Sequence, residues 1–208
     1  MQIALALYPG FTALDIIGPF QVLADVPGHE VVFVAGEAGL VIDHTGRCPL
    51  VASTTFDVVT APDVVVVPGE LFAEWDDRVV QWLRQVHPGT TWTTSVCTGS
   101  IYLAAAGLLD GVDATTHWAR AERLERFGAH YTEERVVERG KVITAAGVSS
   151  GTDMALTLLA RMYGPAIAQS VQLALEYDPH PPFDTGSPSK APPDIVELAK
   201  AALHAPTG

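Results

Sequence analysis

The chain has 208 residues, 48% hydrophobic and 17% charged, which suits one α/β domain spanning 1–208 and excludes a disordered chain. Twelve Lys and Arg stand against 24 Asp and Glu, a net charge of −12 that repels nucleic acid and anionic membrane surfaces as partners. Met1 runs straight into an apolar strand pattern with no basic leader, the longest apolar stretch (101–109) is too short to span a bilayer, and Cys48 and Cys97 form neither a disulfide framework nor a metal pattern, so the expected compartment is a reducing cytoplasm.

In chain order, residues 2–8 read as a buried strand and 14–24 as a helix beginning near Asp15. Residues 30–35 form a second strand, and 38–51, with several glycines among alternating apolar residues, a hairpin. The run Asp-Val-Val-Val-Val at 63–67, ending at Pro68-Gly69, predicts a strand buried on both faces. An amphipathic helix at 77–86, a strand at 90–95 and a short apolar helix at 99–106 closed by Gly107 come next. Then follow a brief strand at 114–116, a charged helix at 118–127, a hairpin within 136–144 and an apolar helix at 152–162. The alternation predicts a flavodoxin-like three-layer α/β sandwich, a mostly parallel sheet with helices on both faces. Such sheets bind ligands at the carboxyl ends of their strands, near a topological switch point. The six prolines of 177–193 predict an extended strap over the surface, anchored by Tyr177 and Phe183, before a last helix at 194–204.

Chemistry concentrates at Ser95-Val96-Cys97-Thr98-Gly99, which follows a β run and opens a helix. A nucleophile elbow strains the backbone at the nucleophile, so the residues two places either side must be small, as Ser95 and Gly99 are. The helix that follows points free N–H groups at the sulfur, which favours thiolate, and the Thr98 N–H supplies half of an oxyanion hole. Cys48 has no such setting and reads as structural.

Asp15 sits among Leu14, Ile16 and Ile17. It is either an acid placed by the dipole at a helix start, or a carboxyl whose pKa apolar surroundings raise towards neutrality. His117, at the end of a strand, is either the base of a Cys–His pair or a capping or core histidine. The backbone N–H groups of Gly69 and Glu70 offer the other half of an oxyanion hole, and the turn Gly147-Val-Ser-Ser-Gly151 offers a pocket wall. No phosphate-binding glycine pattern is present in the sequence.

Ser95-Val-Cys97-Thr-Gly-Ser100, then Ala-Gly-Leu-Leu, then Ala114-Thr-Thr-His-Trp118, resembles the ThiJ/PfpI superfamily, which shares the class I glutamine-amidotransferase-like fold. Within it, Leu14-Asp15 with Gly18-Pro19, and the tail motifs Leu175-Glu-Tyr177, Pro181-Pro-Phe183 and Gly186-Ser-Pro188, are similar to the isonitrile hydratase group. That resemblance implies a lyase that turns an isonitrile into an N-substituted formamide through a thioimidate on the cysteine. It casts Cys97 as the nucleophile, Asp15 as the acid–base carboxyl and Thr98 as its neighbour in the site. It further implies a small-molecule substrate, no metal or organic cofactor, and a homodimer. Other cysteine hydrolases or glyoxalase-like enzymes of the superfamily, and a redox or stress sensor, are the competing expectations. One departure stands out: the family has a second glycine where this chain has Glu70, whose side chain is expected to narrow the pocket or alter the turn.

Overall fold

The computed structural model describes residues 1–24, 26–70 and 75–203. Its elements in order are β1 (Gln2–Ala6), α1 (Ala13–Ala24), β2 (Glu30–Ala35), β3 (Gly39–Ile42), β4 (Pro49–Ala52), β5 (Thr54–Thr55), β6 (Val64–Val67), α2 (Asp77–Val86), β7 (Trp92–Val96), α3 (Gly99–Ala105), β8 (Asp113–Ala114), α4 (Ala121–Glu125), β9 (His130–Tyr131), β10 (Val136–Arg139), β11 (Val142–Ala145), α5 (Ser150–Tyr163), α6 (Pro165–Ala174) and α7 (Pro193–Ala202). Among the described residues, seven strands form the central sheet in the order β10-β11-β7-β6-β1-β2-β5. Every neighbouring pair is parallel except β10 with β11.

The β-branched run makes a central strand as its composition requires: all four valines of β6 are buried, with β1 on one side and β7 on the other. Burying a valine contributes about 1.5 to 3 kcal/mol, so the middle of the sheet is its most strongly held part. From β1 the chain moves outward to β2 on one side and later to β6 and β7 on the other. The carboxyl ends of β1 and β6 therefore flank a crevice at the switch point, and the segments after β1, β6 and β7 carry Asp15, Gly69 and Cys97 to it.

Glycine and proline bring α1 against α5. A Cβ at Gly18 would lie 3.1 Å from Thr152 Oγ1, and one at Gly151 would lie 3.1 Å from both the Pro19 ring and Val96. Helix α5 thus packs close against the backbone of α1, fixing the helix that carries Asp15.

Several expected elements are altered. The helix expected at 118–127 is a 3-10 turn at Trp118–Arg120 followed by α4, because His117 Nδ1 accepts the Ala119 N–H at 3.2 Å and caps the turn. The strand expected at 114–116 is β8 (Asp113–Ala114), which pairs with β9 outside the central sheet; beyond it the Thr115 N–H donates to Thr144 Oγ1 and the Thr116 hydroxyl to the Cys97 carbonyl. Helix α6 has no counterpart in the sequence reading; Gly164, at φ 85°, ends α5, and Pro165 starts α6. Only Ala168 of α6 is buried, so the helix leaves little hydrophobic periodicity to read. Residues 177–192 contain no helix or strand, as a strap should. Tyr177 anchors it, its hydroxyl donating to Asp153 Oδ1 at 3.0 Å, but Phe183 is 75% exposed and does not. The last helix runs Pro193–Ala202, and His204 lies outside the described residues. No described helix is long and apolar enough to cross a membrane.

Candidate active site at the β7 to α3 elbow

Cys97 lies between β7 and α3 with φ 57°, a left-handed conformation that costs a non-glycine residue about 1 to 3 kcal/mol and survives only where its surroundings enforce it. They do so from both sides. The Cys97 N–H is shared between the carbonyls of Ala145 and Ala146 at 3.0 and 2.9 Å, and its own carbonyl accepts the Thr116 and Ser100 hydroxyls, each at 3.1 Å. The size limit two residues on is strict, since a Cβ on Gly99 would sit 2.2 Å from the Val67 carbonyl oxygen and 2.7 Å from that of Pro68.

The sulfur is fully buried and meets three groups. The backbone N–H groups of Thr98 and Val148 donate to it, and it shares a hydrogen bond with the Asp15 carboxyl. Burial pushes the Cys97 thiol well above its ordinary pKa, and the nearby Asp15 charge adds to the rise; the two N–H groups pull the other way without overcoming it. This corrects the expectation of a resting thiolate. The positive end of a seven-residue helix is outweighed by desolvation and by a neighbouring acid.

Asp15 belongs to the first turn of α1 and is completely buried. Burial raises its pKa from the ordinary 3.8 to about 7, against the lowering effect of the Gly69 N–H and the Cys97 thiol. Its Oδ2 accepts the Gly69 N–H at 2.7 Å, while Oδ1 has no hydrogen-bond partner among the described residues. Of the two readings the sequence left open, the structure favours the carboxyl poised near neutrality.

The expected donors at Gly69 and Glu70 are already committed. Gly69 N–H goes to Asp15, and Glu70 N–H goes to Thr98 Oγ1 at 2.7 Å, which in turn donates to the Glu70 carbonyl at 2.6 Å. They hold Asp15 and Thr98 in place and do not form the second half of an oxyanion hole; a donor facing the sulfur from the other side is Val148, within the turn that Gly147 opens. The sequence reading singled out that turn without singling out Val148, because a backbone donor leaves no residue-type signal. Nor does the Glu70 side chain point to the sulfur: its carboxylate pairs with Arg123 at 3.1 Å.

His117 is not arranged as a base. Its Nδ1 accepts the Ala119 N–H, and burial lowers its pKa to about 4, so the ring is neutral at pH 7. It packs beside Gly147, where a Cβ would approach to 3.0 Å. His117 also lines a cleft of about 800 Å3, together with Thr116, Val148 and, from the strap, Phe183 and Pro188. Thr116 and Val148 both touch Cys97, and Leu14, next to Asp15, lies on the rim. The cleft borders the site through these neighbours, and Cys97 and Asp15 themselves do not line it.

These features define a doubly wound α/β protein with a strained, buried cysteine at a strand–helix elbow and a buried acid beside it. The chain belongs to the DJ-1/PfpI family, whose family model matches residues 1–161. It is 41% identical over 203 residues to the isonitrile hydratase of Pseudomonas putida, covering 96% of this chain and 89% of that protein. The crystal structure of a ThiJ/PfpI family protein from Pseudomonas syringae superposes with a TM-score of 0.92 at 35% identity, covering 99% of this chain and 87% of that one. The HTH-type transcriptional regulator CdhR of Pseudomonas aeruginosa is 38% identical over 98 residues, which is 45% of this chain and 28% of the regulator.

Proposed function

We propose that the protein hydrates an isonitrile to an N-substituted formamide, with Cys97 as nucleophile and Asp15 as the group that carries the proton. The observation behind this reading is the hydrogen-bonded, fully buried pair itself, a neutral thiol against a carboxyl of pKa about 7. An isonitrile is neutral and needs at one carbon both a nucleophile and a proton. In the proposed sequence Asp15 accepts the thiol proton as sulfur attacks the terminal carbon, and returns it to that carbon, giving the thioimidate R–N=CH–S–Cys97. Asp15 carboxylate then activates water for attack on the same carbon, and loss of the thiol releases R–NH–CHO. Substrate plus one water equals product, and no oxidant, reductant or metal enters. The N–H groups of Thr98 and Val148 steady the sulfur while its charge develops.

The competing expectations fit less well. A cysteine–histidine hydrolase needs a basic imidazole in reach, and burial makes His117 a weak base of pKa about 4 whose Nδ1 is committed to the Ala119 N–H. A redox sensor needs an exposed, low-pKa thiol, and Cys97 is buried with its pKa raised. A homodimer in a reducing cytoplasm completes the reading, consistent with the free thiols of Cys48 and Cys97. Incubation with a simple alkyl isonitrile is expected to give the formamide, and no formamide from a panel of alkyl and aryl isonitriles refutes the proposal.

A further inference from the structure

We propose that Arg123, on α4, is a positioning residue of this site, acting through the Glu70 carboxylate to hold Pro68-Gly69-Glu70 against Asp15 and Thr98. The inference rests on the roles proposed above for Cys97 and Asp15. The three-residue segment bonds Asp15 on one side and Thr98, the neighbour of Cys97, on the other. Its Gly69 N–H reaches Asp15, its Glu70 N–H and carbonyl both bond Thr98 Oγ1, and the Gly69 carbonyl accepts the Thr12 N–H at 2.8 Å. The fit has no slack, for a Cβ on Gly69 would lie 2.6 Å from Thr98 N and 2.8 Å from Asp15 Oδ2.

Proline and glycine have no side chain that can tie this segment to a distant element, and Glu70 has. Its carboxylate is 5% exposed and bonds Arg123 Nη1 at 3.1 Å. The Arg123 guanidinium lies 5.2 Å from the centre of the Trp75 ring, Trp75 stacks on Tyr102 at 4.1 Å, and Tyr102 packs on Tyr8 at 4.9 Å. The Tyr8 hydroxyl closes the circuit by donating to the Pro68 carbonyl. Both ends of the segment are therefore gripped by one continuous set of contacts, of which the Arg123–Glu70 pair is the ionic link. With glycine at position 70 this contact of Arg123 would be absent, so the link depends on the Glu70 side chain.

Methionine at 123 leaves the buried Glu70 carboxylate without that guanidinium. The segment then shifts to rehydrate it, and the Gly69 N–H moves off Asp15. Because that N–H lowers the Asp15 pKa, its loss moves the Asp15 titration upward. The titratable groups around Asp15 are Cys97 from the elbow and Tyr8 from the end of β1, with Glu70 and Tyr102 behind Tyr8; Tyr8, Tyr102 and Cys97 all titrate above neutrality.

The test measures two pH profiles in wild type, Arg123→Met, Arg123→Lys and the double variant Glu70→Gln/Arg123→Met: kcat/KM for isonitrile hydration, and the rate of Cys97 alkylation by iodoacetamide. The expected result for Arg123→Met is a fall in kcat/KM of between about 10- and 100-fold, the scale of a misplaced catalytic group, with the neutral limb of both profiles displaced to higher pH. Arg123→Lys is expected to recover most of the rate. The double variant removes both charges and leaves the local field nearly neutral, and is expected to keep the displaced limb because the link is still missing. Wild-type profiles in the double variant, or a rate loss in Arg123→Met that follows thermal unfolding with no displacement, overturn the inference. If wild type hydrates no isonitrile, the proposed function fails, and the alkylation profile alone then supports Arg123 by its displacement or refutes it by staying put.

Discussion

Replacing Asp15 with asparagine tests the electrostatics of the site without emptying it, since asparagine keeps the shape and an acceptor for the Gly69 N–H. The carboxyl has a folded-state pKa of about 7 against 3.8 in the unfolded chain. Between those values the native state binds more protons than the unfolded state, so Asp15 leaves stability intact below pH 3.8 and withdraws it as pH rises towards 7. A rise from 3.8 to about 7, at about 1.4 kcal/mol per pH unit, is about 4 kcal/mol of lost stability above pH 7. Asparagine does not ionise and escapes that loss. In a chain of this length 4 kcal/mol corresponds to about 10 °C in Tm. Melts of wild type and Asp15→Asn are expected to coincide near pH 4 and to separate by about that much at pH 8, with the variant the more stable and catalytically crippled. Cys97 titrates above this window and does not disturb the comparison. A gap that fails to widen between pH 4 and pH 8 refutes the account of Asp15.

Gly99→Ala drives a Cβ into the Val67 carbonyl at 2.2 Å, and is expected to destabilise by about 3 kcal/mol or more, read as a lower denaturation midpoint. Gly69→Ala pushes on Asp15 and Thr98 instead, and is expected to reduce turnover by about 10-fold or more even in the fraction that folds. His117→Asn keeps an acceptor for the Ala119 N–H and removes an imidazole that is neutral above pH 4, so turnover at pH 7 is expected to stay near wild type. The same substitution removes the loss of stability, about 3 kcal/mol, that His117 imposes as pH falls from 6.5 towards 4, visible as a flatter acid limb in melts.

Much of this was legible before any coordinates. The valine run reads as a buried strand from its β-branched composition, and the small residues two places either side of Cys97 fit an elbow, where larger side chains would clash. Asp15 was legible as an anomaly, an acid among Leu and Ile, but its protonation depended on how deeply α5 buries α1, which is set by a packing partner over a hundred residues away. The oxyanion donors were misplaced because backbone N–H groups have no residue-type signature; only the hydrogen-bond pattern shows that Gly69 and Glu70 are committed and Val148 faces the sulfur. Arg123 was hidden among the charges of a surface helix, and the one clue to it was Glu70 in a glycine's place. Helix α6 was missed because a helix that buries one alanine carries almost no periodicity.

In the proposed reaction the sulfur of Cys97 bonds the isonitrile carbon during turnover. Rapid quench into acid followed by mass spectrometry of the peptide containing Cys97 measures it directly. A transient population of that peptide heavier by one isonitrile is expected, absent in Cys97→Ala, which also yields no formamide. Turnover by Cys97→Ala at the wild-type rate, with no adduct on the wild-type peptide, contradicts it.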